Sequence, residues 1–291
     1  MAEPGQERVR VQVDGRALTV TSLSRVVYPA TGTTKGEVLH HYASVAPVML
    51  PHLAGRPVTR VRYPQGVASP SFFEKHLPGG TPRWVPRVSI DDVTYPLVDG
   101  PATLTWLANL NALELHVPQW RVAEGVVAGP DRLVVDLDPG SPAGLKECAQ
   151  VALLVRERLG ALGMALYPVT SGSKGMQVYG ALGGDLTSDQ VRDLTQQLAK
   201  ELTEKHPNLV VWQMTKSLRP GKVLFDWSQN VAAKTTISPY SLRGREIPNV
   251  ACPRTWDEVE AGAAGKRFEQ VMFEELPERL DRYGDLIADL A

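Results

Sequence analysis

A chain of 291 residues with 43% hydrophobic content can bury a normal core, as one large domain or two tightly joined lobes. With 31 Lys plus Arg against 32 Asp plus Glu, it lacks the basic excess of a general nucleic-acid binder. No run approaches the roughly 20 apolar residues of a membrane span, the polar opening residues predict no signal peptide, and Cys148 and Cys252 form no CxxC pair. A transmembrane helix and a structural zinc site are thereby excluded, and a reducing cytoplasm is expected.

In chain order, residues 1–8 are polar and expected to be disordered. Alternation over 9–20 predicts a hairpin around Asp14-Gly15. Residues 34–46 read as a helix with Thr33 or Thr34 as N-cap, ended or kinked by Pro47. The stretch 56–99 is rich in Pro and Gly, with short strands at best, and 103–113 reads as a second helix. Strand 132–138 precedes helix 143–162, and strand 165–170 precedes a Gly/Ser turn. Helix 188–205 comes before strands near 209–213 and 222–227. The closing stretch 268–290 reads as helical and structural. This order predicts an α+β fold, a largely antiparallel sheet with helices packed on one face. The organisation expected is a lobe over 9–130, a core over 131–256 and a helical segment over 257–291.

Chemistry concentrates at three places. Asp136-Leu137-Asp138 closes the apolar run Leu133-Val134-Val135 before Pro139-Gly140. Alternation puts both carboxylates on one strand face, roughly 6.5–7 Å apart along the chain, where they repel unless a cation lies between them. The alternative is two Asp side chains capping the following turn. Ser171-Gly172-Ser173-Lys174-Gly175 joins two strands. Its glycines, hydroxyls and ammonium have the chemistry of a phosphate cradle, or equally of a hairpin turn with an exposed lysine. Asp226, near the end of Lys222-Val-Leu-Phe-Asp226, is a third strand-borne carboxylate, or a turn residue.

Charge is unevenly spread. Arg56, Arg60, Arg62, Lys75, Arg83 and Arg87 are opposed within their stretch by Glu74 alone. Lys216, Arg219, Lys222, Lys234, Arg243 and Arg245 are opposed by Asp226 alone, and both runs are expected to favour DNA.

Eight runs carry a resemblance. They are Tyr28-Pro-Ala-Thr-Gly-Thr-Thr-Lys35, Phe72-Phe-Glu-Lys75, Leu115-His-Val-Pro-Gln-Trp-Arg121, Asp136-Leu-Asp-Pro-Gly140, the Ser171–Gly175 turn, Thr215-Lys-Ser-Leu-Arg219, Asp226-Trp-Ser-Gln-Asn230 and Lys234-Thr-Thr-Ile-Ser-Pro-Tyr-Ser-Leu-Arg-Gly-Arg245. In this order the chain resembles the polymerase domain of bacterial end-joining ligase D, in the archaeo-eukaryotic primase superfamily, whose core carries an RRM-like sheet.

The resemblance implies a template-directed nucleotidyltransferase that extends primers and fills gaps in DNA break repair, preferring ribonucleotides. It implies two divalent ions, Mn²⁺ or Mg²⁺, held by Asp136, Asp138 and Asp226, one activating the primer 3′-hydroxyl and one neutralising the triphosphate. His116, Ser171, Lys174, Gln177, Gln229 and Arg243 are the implied nucleotide contacts. Arg25 and Lys35 are implied at a downstream 5′-phosphate, and Phe72, Phe73 and Arg219 at DNA. Adjacent strand residues face opposite ways, so one of the two Phe is expected in the core. Implied partners are gapped or broken DNA, nucleoside triphosphates, the end-binding protein Ku and a separate DNA ligase. The family's nuclease and ligase domains do not fit in this length, so a stand-alone polymerase of the nucleoid-containing cytoplasm is expected.

Four positions depart from the family pattern. Gln177 replaces a His, Arg25 a Lys, Ser22 an Asn and Val61 a basic residue. Gln keeps a neutral hydrogen bond but not a charge, so weaker nucleotide binding is expected rather than lost activity. Two rival readings are a catalytically weak end-bridging protein of the same family and an RRM-like binder without metal chemistry. The second lacks the aromatic RRM signature and would set three acids against a phosphate backbone.

Overall fold

The computed structural model describes residues 7–291. The fraying expected over 1–8 lies outside the described residues as far as residue 6, and Arg8 already opens the first strand. Arg8–Val13 and Arg16–Thr21 form the expected hairpin, with Asp14 and Gly15 at positive φ in the turn.

A six-stranded sheet organises the molecule, in the order Val210–Val211, Val223–Asp226, Arg132–Pro139, Met176–Ala181, Leu166–Thr170, Cys252–Pro253. Every pairing is antiparallel except Val210–Val211 against Val223–Asp226. Period-two alternation splits the central strand between two cores. Leu133, Val135 and Leu137 pack with helices Leu145–Gly160, Ser188–Lys205 and Trp256–Ala263. Val134 and Tyr179 face the other way, into a core shared with helices Lys35–Leu53 and Pro101–Asn109. Helices do cover one sheet face, as expected, but the opposite face is covered too, by the N-terminal elements. Asp136 and Asp138 follow Val134 in phase and emerge where that cover ends.

A second sheet, in the order Thr236–Ile237, Ala112–Val117, Thr59–Arg62, Phe72–Glu74, stands beside the first. Its pairings set Thr59 opposite His116, Val61 opposite Glu114 and Val61 opposite Phe73. Directly opposed residues share a face, so His116, Glu114, Thr59, Val61 and Phe73 lie on one side.

Several expectations are corrected. The first helix runs Lys35–Leu53, through Pro47 and Pro51. Both prolines are exposed, while Val45, Met49 and Leu53 on the inner face are buried, and that packing outweighs the lost hydrogen bonds. Its N-cap is Thr34, in a full capping box with Glu37. The helix expected over 103–113 spans Pro101–Asn109; Asn111, at φ 56, turns the chain into the strand Ala112–Val117. In the closing stretch only Leu276–Tyr283 is α-helical, and Val271–Met272 pairs as a strand with Asn249–Val250. Apolar period alone does not separate such short segments.

Candidate active site

Asp136 and Asp226 are direct cross-strand partners, and Asp138 is two residues along the same strand, so alternation gives the three carboxylates one sheet face. Burial raises the Asp136 carboxyl above the usual range, and the charges of Asp138 and Asp226 raise it further. Asp138 is raised in the same direction, by burial and by Asp226. Such a group calls for positive charge, and its all-oxygen donors suit hard divalent cations. Among the described residues no three such side chains already gather about one ion position. Neighbouring donors take the oxygens instead: Gln177 Nε2 donates to Asp136 at 3.1 Å, and Gln229 Nε2 to Asp226 at 3.2 Å. The Ser228 N–H and hydroxyl also cap Asp226, with Lys234 3.9 Å away. The donor set suits hard divalent cations in kind and in strand placement.

A cavity of about 690 Å³ opens over this face, lined by Asp136, Asp138, His116, Ser171, Lys174, Gln177, Gln229 and Arg243. The expected nucleotide residues therefore meet, although they come from strands and loops more than 100 residues apart in sequence. The Ser171–Gly175 turn rests on the Asp136-Leu137-Asp138 backbone so closely that a Cβ at Gly175 would lie 1.9 Å from the Leu137 oxygen. Gly172, at φ +70, presses against Arg243 and Val250. The cradle differs from its sequence reading in one respect. The Gly172 N–H is taken by Gln270 and the Ser173 N–H by the Ser171 hydroxyl, so both amides bond within the protein.

Glu114 is the central group that the motifs miss. It accepts from His116 Nε2 at 2.9 Å, Arg243 Nη1 at 3.0 Å and the Gly244 N–H at 3.0 Å. Burial pushes its carboxyl up, but these three partners hold it down at about 2. The available signal was its spacing: Glu114 lies two residues before His116 on one strand, hence on one face. Gln177 is likewise fixed from behind, its Oε1 lying 3.1 Å from the Tyr179 hydroxyl. Asn230 replaces a strand partner for Val134, bonding its N–H and carbonyl at 2.9 and 2.8 Å and anchoring the turn that carries Gln229.

Away from the cavity, Lys35 and Arg25 lie together. Burial, then the Arg25 charge, lowers the Lys35 ammonium to about 8, and its Nζ donates to the Thr21 hydroxyl at 3.2 Å. Arg219 lies near enough to Asp138 to oppose its rise and donates to the Met214 carbonyl. Phe72 and Phe73 are 54% and 60% exposed, so neither enters the core. They sit on an edge strand whose two faces are both open, and only Phe73 shares the face of His116. The first basic run is also corrected. Arg56 and Arg60 are fully buried in ion pairs with Asp131 and Glu74, and hold the fold rather than line a surface.

The sequence model of the family described as LigD, primase-polymerase domain, matches residues 34–287. The chain belongs to this family. Membership makes it a DNA-directed nucleotidyltransferase of the primase-polymerase type. The polymerase domain of Mycobacterium tuberculosis ligase D in complex with DNA is similar at TM-score 0.89 and 46% identity, over 94% of this chain and 97% of that one. The multifunctional non-homologous end joining protein LigD of Mycolicibacterium smegmatis is 48% identical over 93% of this chain and 36% of its own length. The bifunctional LigD of Bacillus subtilis is 34% identical over 86% of this chain and 41% of its own length. This LigD-type domain thus spans about a third of the length of the first of these curated relatives. No helix of the described residues is long and apolar enough to cross a membrane.

Proposed function

We propose that the chain extends primers and fills short gaps at DNA breaks, copying a template with ribonucleotides preferred. The observation that carries this reading is the meeting of Asp136, Asp138, His116, Ser171, Lys174 and Arg243 around one cavity, with Asp226 paired to Asp136. Asp136, Asp138 and Asp226 would hold two divalent ions, Mn²⁺ or Mg²⁺, which supply neutralisation of the triphosphate and activation of the primer hydroxyl. Lys174 and Arg243 bring positive charge to the triphosphate, and Ser171 shapes the turn beneath it. Glu114 holds His116 and Arg243 in fixed orientation, so their donors are organised before substrate arrives. Gln177 and Gln229 steady the Asp136 and Asp226 carboxylates. Phe73 offers a stacking surface on the His116 face, worth about 1–3 kcal/mol per base and indifferent to sequence. Arg219 stands by the DNA path. Arg25 and the neighbouring Lys35 form the anion site for a downstream 5′-phosphate. In this role the chain acts at gapped or broken DNA with Ku and a DNA ligase in the cytoplasm, its 131–256 region serving as the catalytic core.

The test is extension of a labelled primer across a short gap carrying a 5′-phosphate, with manganese and either nucleotide set. Extension abolished by Asp136→Ala/Asp138→Ala is the expected result, with ribonucleotides incorporated faster. DNA bound but never extended by the unaltered chain would replace this reading with end bridging.

A further inference from the structure

The Ser171–Gly175 turn is held from outside the cavity by a side chain in none of the chemical motifs. Gln270 Oε1 accepts the Gly172 N–H at 2.7 Å, and Gln270 Nε2 donates to the Gly175 carbonyl at 2.9 Å. One amide thus bridges the two positions that flank Ser173 and Lys174. Only Asn and Gln present a donor and an acceptor side by side without charge, so the bridge imitates one rung of a strand ladder. Inside the turn, the Ser171 N–H and hydroxyl reach the same Gly175 carbonyl at 3.0 and 2.9 Å.

The base of Gln270 is itself fixed. The next residue, Val271, pairs with Val250 across the Asn249–Val250 and Val271–Met272 ladder. Val250 is also the backbone against which Gly172 lies, with a built Cβ at 2.8 Å. The wall of the turn and the root of its clamp therefore belong to one two-stranded unit. One strand of that unit, Val271–Met272, is contributed by the C-terminal stretch, whose sequence reading was purely structural.

We propose that Gln270 is a positioning residue for nucleotide binding: it holds the Ser171–Gly175 turn in the shape that presents Lys174 to the triphosphate. This rests on the reading of that turn as the triphosphate site. The structural alternative, a residue that merely supports the C-terminal stretch, predicts lost stability without a selective effect on nucleotide.

The experiment uses the full chain with Gln270→Met, which keeps volume and removes both bonds, and Gln270→Glu, which keeps only the acceptor for Gly172. Amide hydrogen exchange is followed across residues 171–176 without nucleotide, alongside kcat and KM for the nucleoside triphosphate and the melting temperature. Gln270→Met is expected to lose protection at Gly172 and to raise KM about tenfold, with kcat within about twofold. Gln270→Glu is expected to keep protection at Gly172. Unchanged exchange at Gly172 in Gln270→Met overturns the proposal, as does a fall in melting temperature with KM unmoved. If the unaltered chain extends no primer, the polymerase reading falls separately. Affinity for inorganic tripolyphosphate then takes the place of KM and decides the clamp on its own.

Discussion

Gln177 shows how a single substitution is absorbed by its surroundings. In place of a charged imidazole there is an amide whose Nε2 reaches Asp136 and whose Oε1 faces the Tyr179 hydroxyl. Its partner is therefore a carboxylate of the acidic triad, and the effect of removing it belongs on the chemical step. Gln177→Met is predicted to lower kcat about tenfold with nucleotide KM within about twofold, one hydrogen bond to a charged group being lost. Steady-state kinetics on a gapped primer checks this, and a change confined to KM would transfer Gln177 to the nucleotide. Position 177 was singled out through the resemblance, whose pattern sets a His two residues after Lys174-Gly175. Its partner was not legible, since the Asp136–Gln177 pairing depends on strand register.

At the scale of elements, the long first helix tests packing against local preference. Pro47 sits on its exposed face, where it removes one backbone bond and gains no contact in the core. Pro47→Ala is predicted to restore that bond and stabilise the chain by about 1 kcal/mol, a net value after the greater freedom of the unfolded chain is subtracted. Urea unfolding with an unchanged slope checks it; a destabilised variant would mean that the proline fits its site without strain. The central strand was readable as an apolar run stopped by Pro139-Gly140, and alternation then placed its two carboxylates on one face. The helix over 103–113 was found, but its end was misread, because the apolar residues that follow suit a helix or a buried strand equally and only the left-handed turn at Asn111 divides them.

For the whole molecule, buried titratable groups set the response to acid. His41 is fully buried, and its Nε2–H donates to the Tyr240 carbonyl at 3.1 Å. Burial lowers its pKa from 6.5 to about 4. The unfolded chain therefore binds the extra proton first, and stability falls as pH drops from about 6.5 to about 4. Glu114 and Glu258 have folded values of about 2 against ordinary values of 4.5, so their contribution is present above 4.5 and lost as pH falls toward 2. Glu258 matters globally because it receives Arg279 and Arg254, joining helix Trp256–Ala263 to helix Leu276–Tyr283. Melting temperature is predicted to fall in two stages, and His41→Gln should shrink the upper one, to which buried His52, lowered in the same direction, also contributes. A single transition unaltered by that substitution would show that His41 is not the group that titrates.

The sequence by itself determined the family, the α+β class, the three strand-borne Asp residues and the basic Ser171–Gly175 turn. These are local: a strand's period fixes the face of each side chain, and turn residues announce their own geometry. Only the tertiary structure decided that Glu114 ties His116 to Arg243, that Gln270 clamps the turn, and that Arg56 and Arg60 are buried in ion pairs. It also decided that Phe72 and Phe73 are both exposed, because an edge strand with two open faces gives alternation no core to point into. Each of these depends on which distant segments meet, and for those on strands a shift of one residue would move the side chain to the other face.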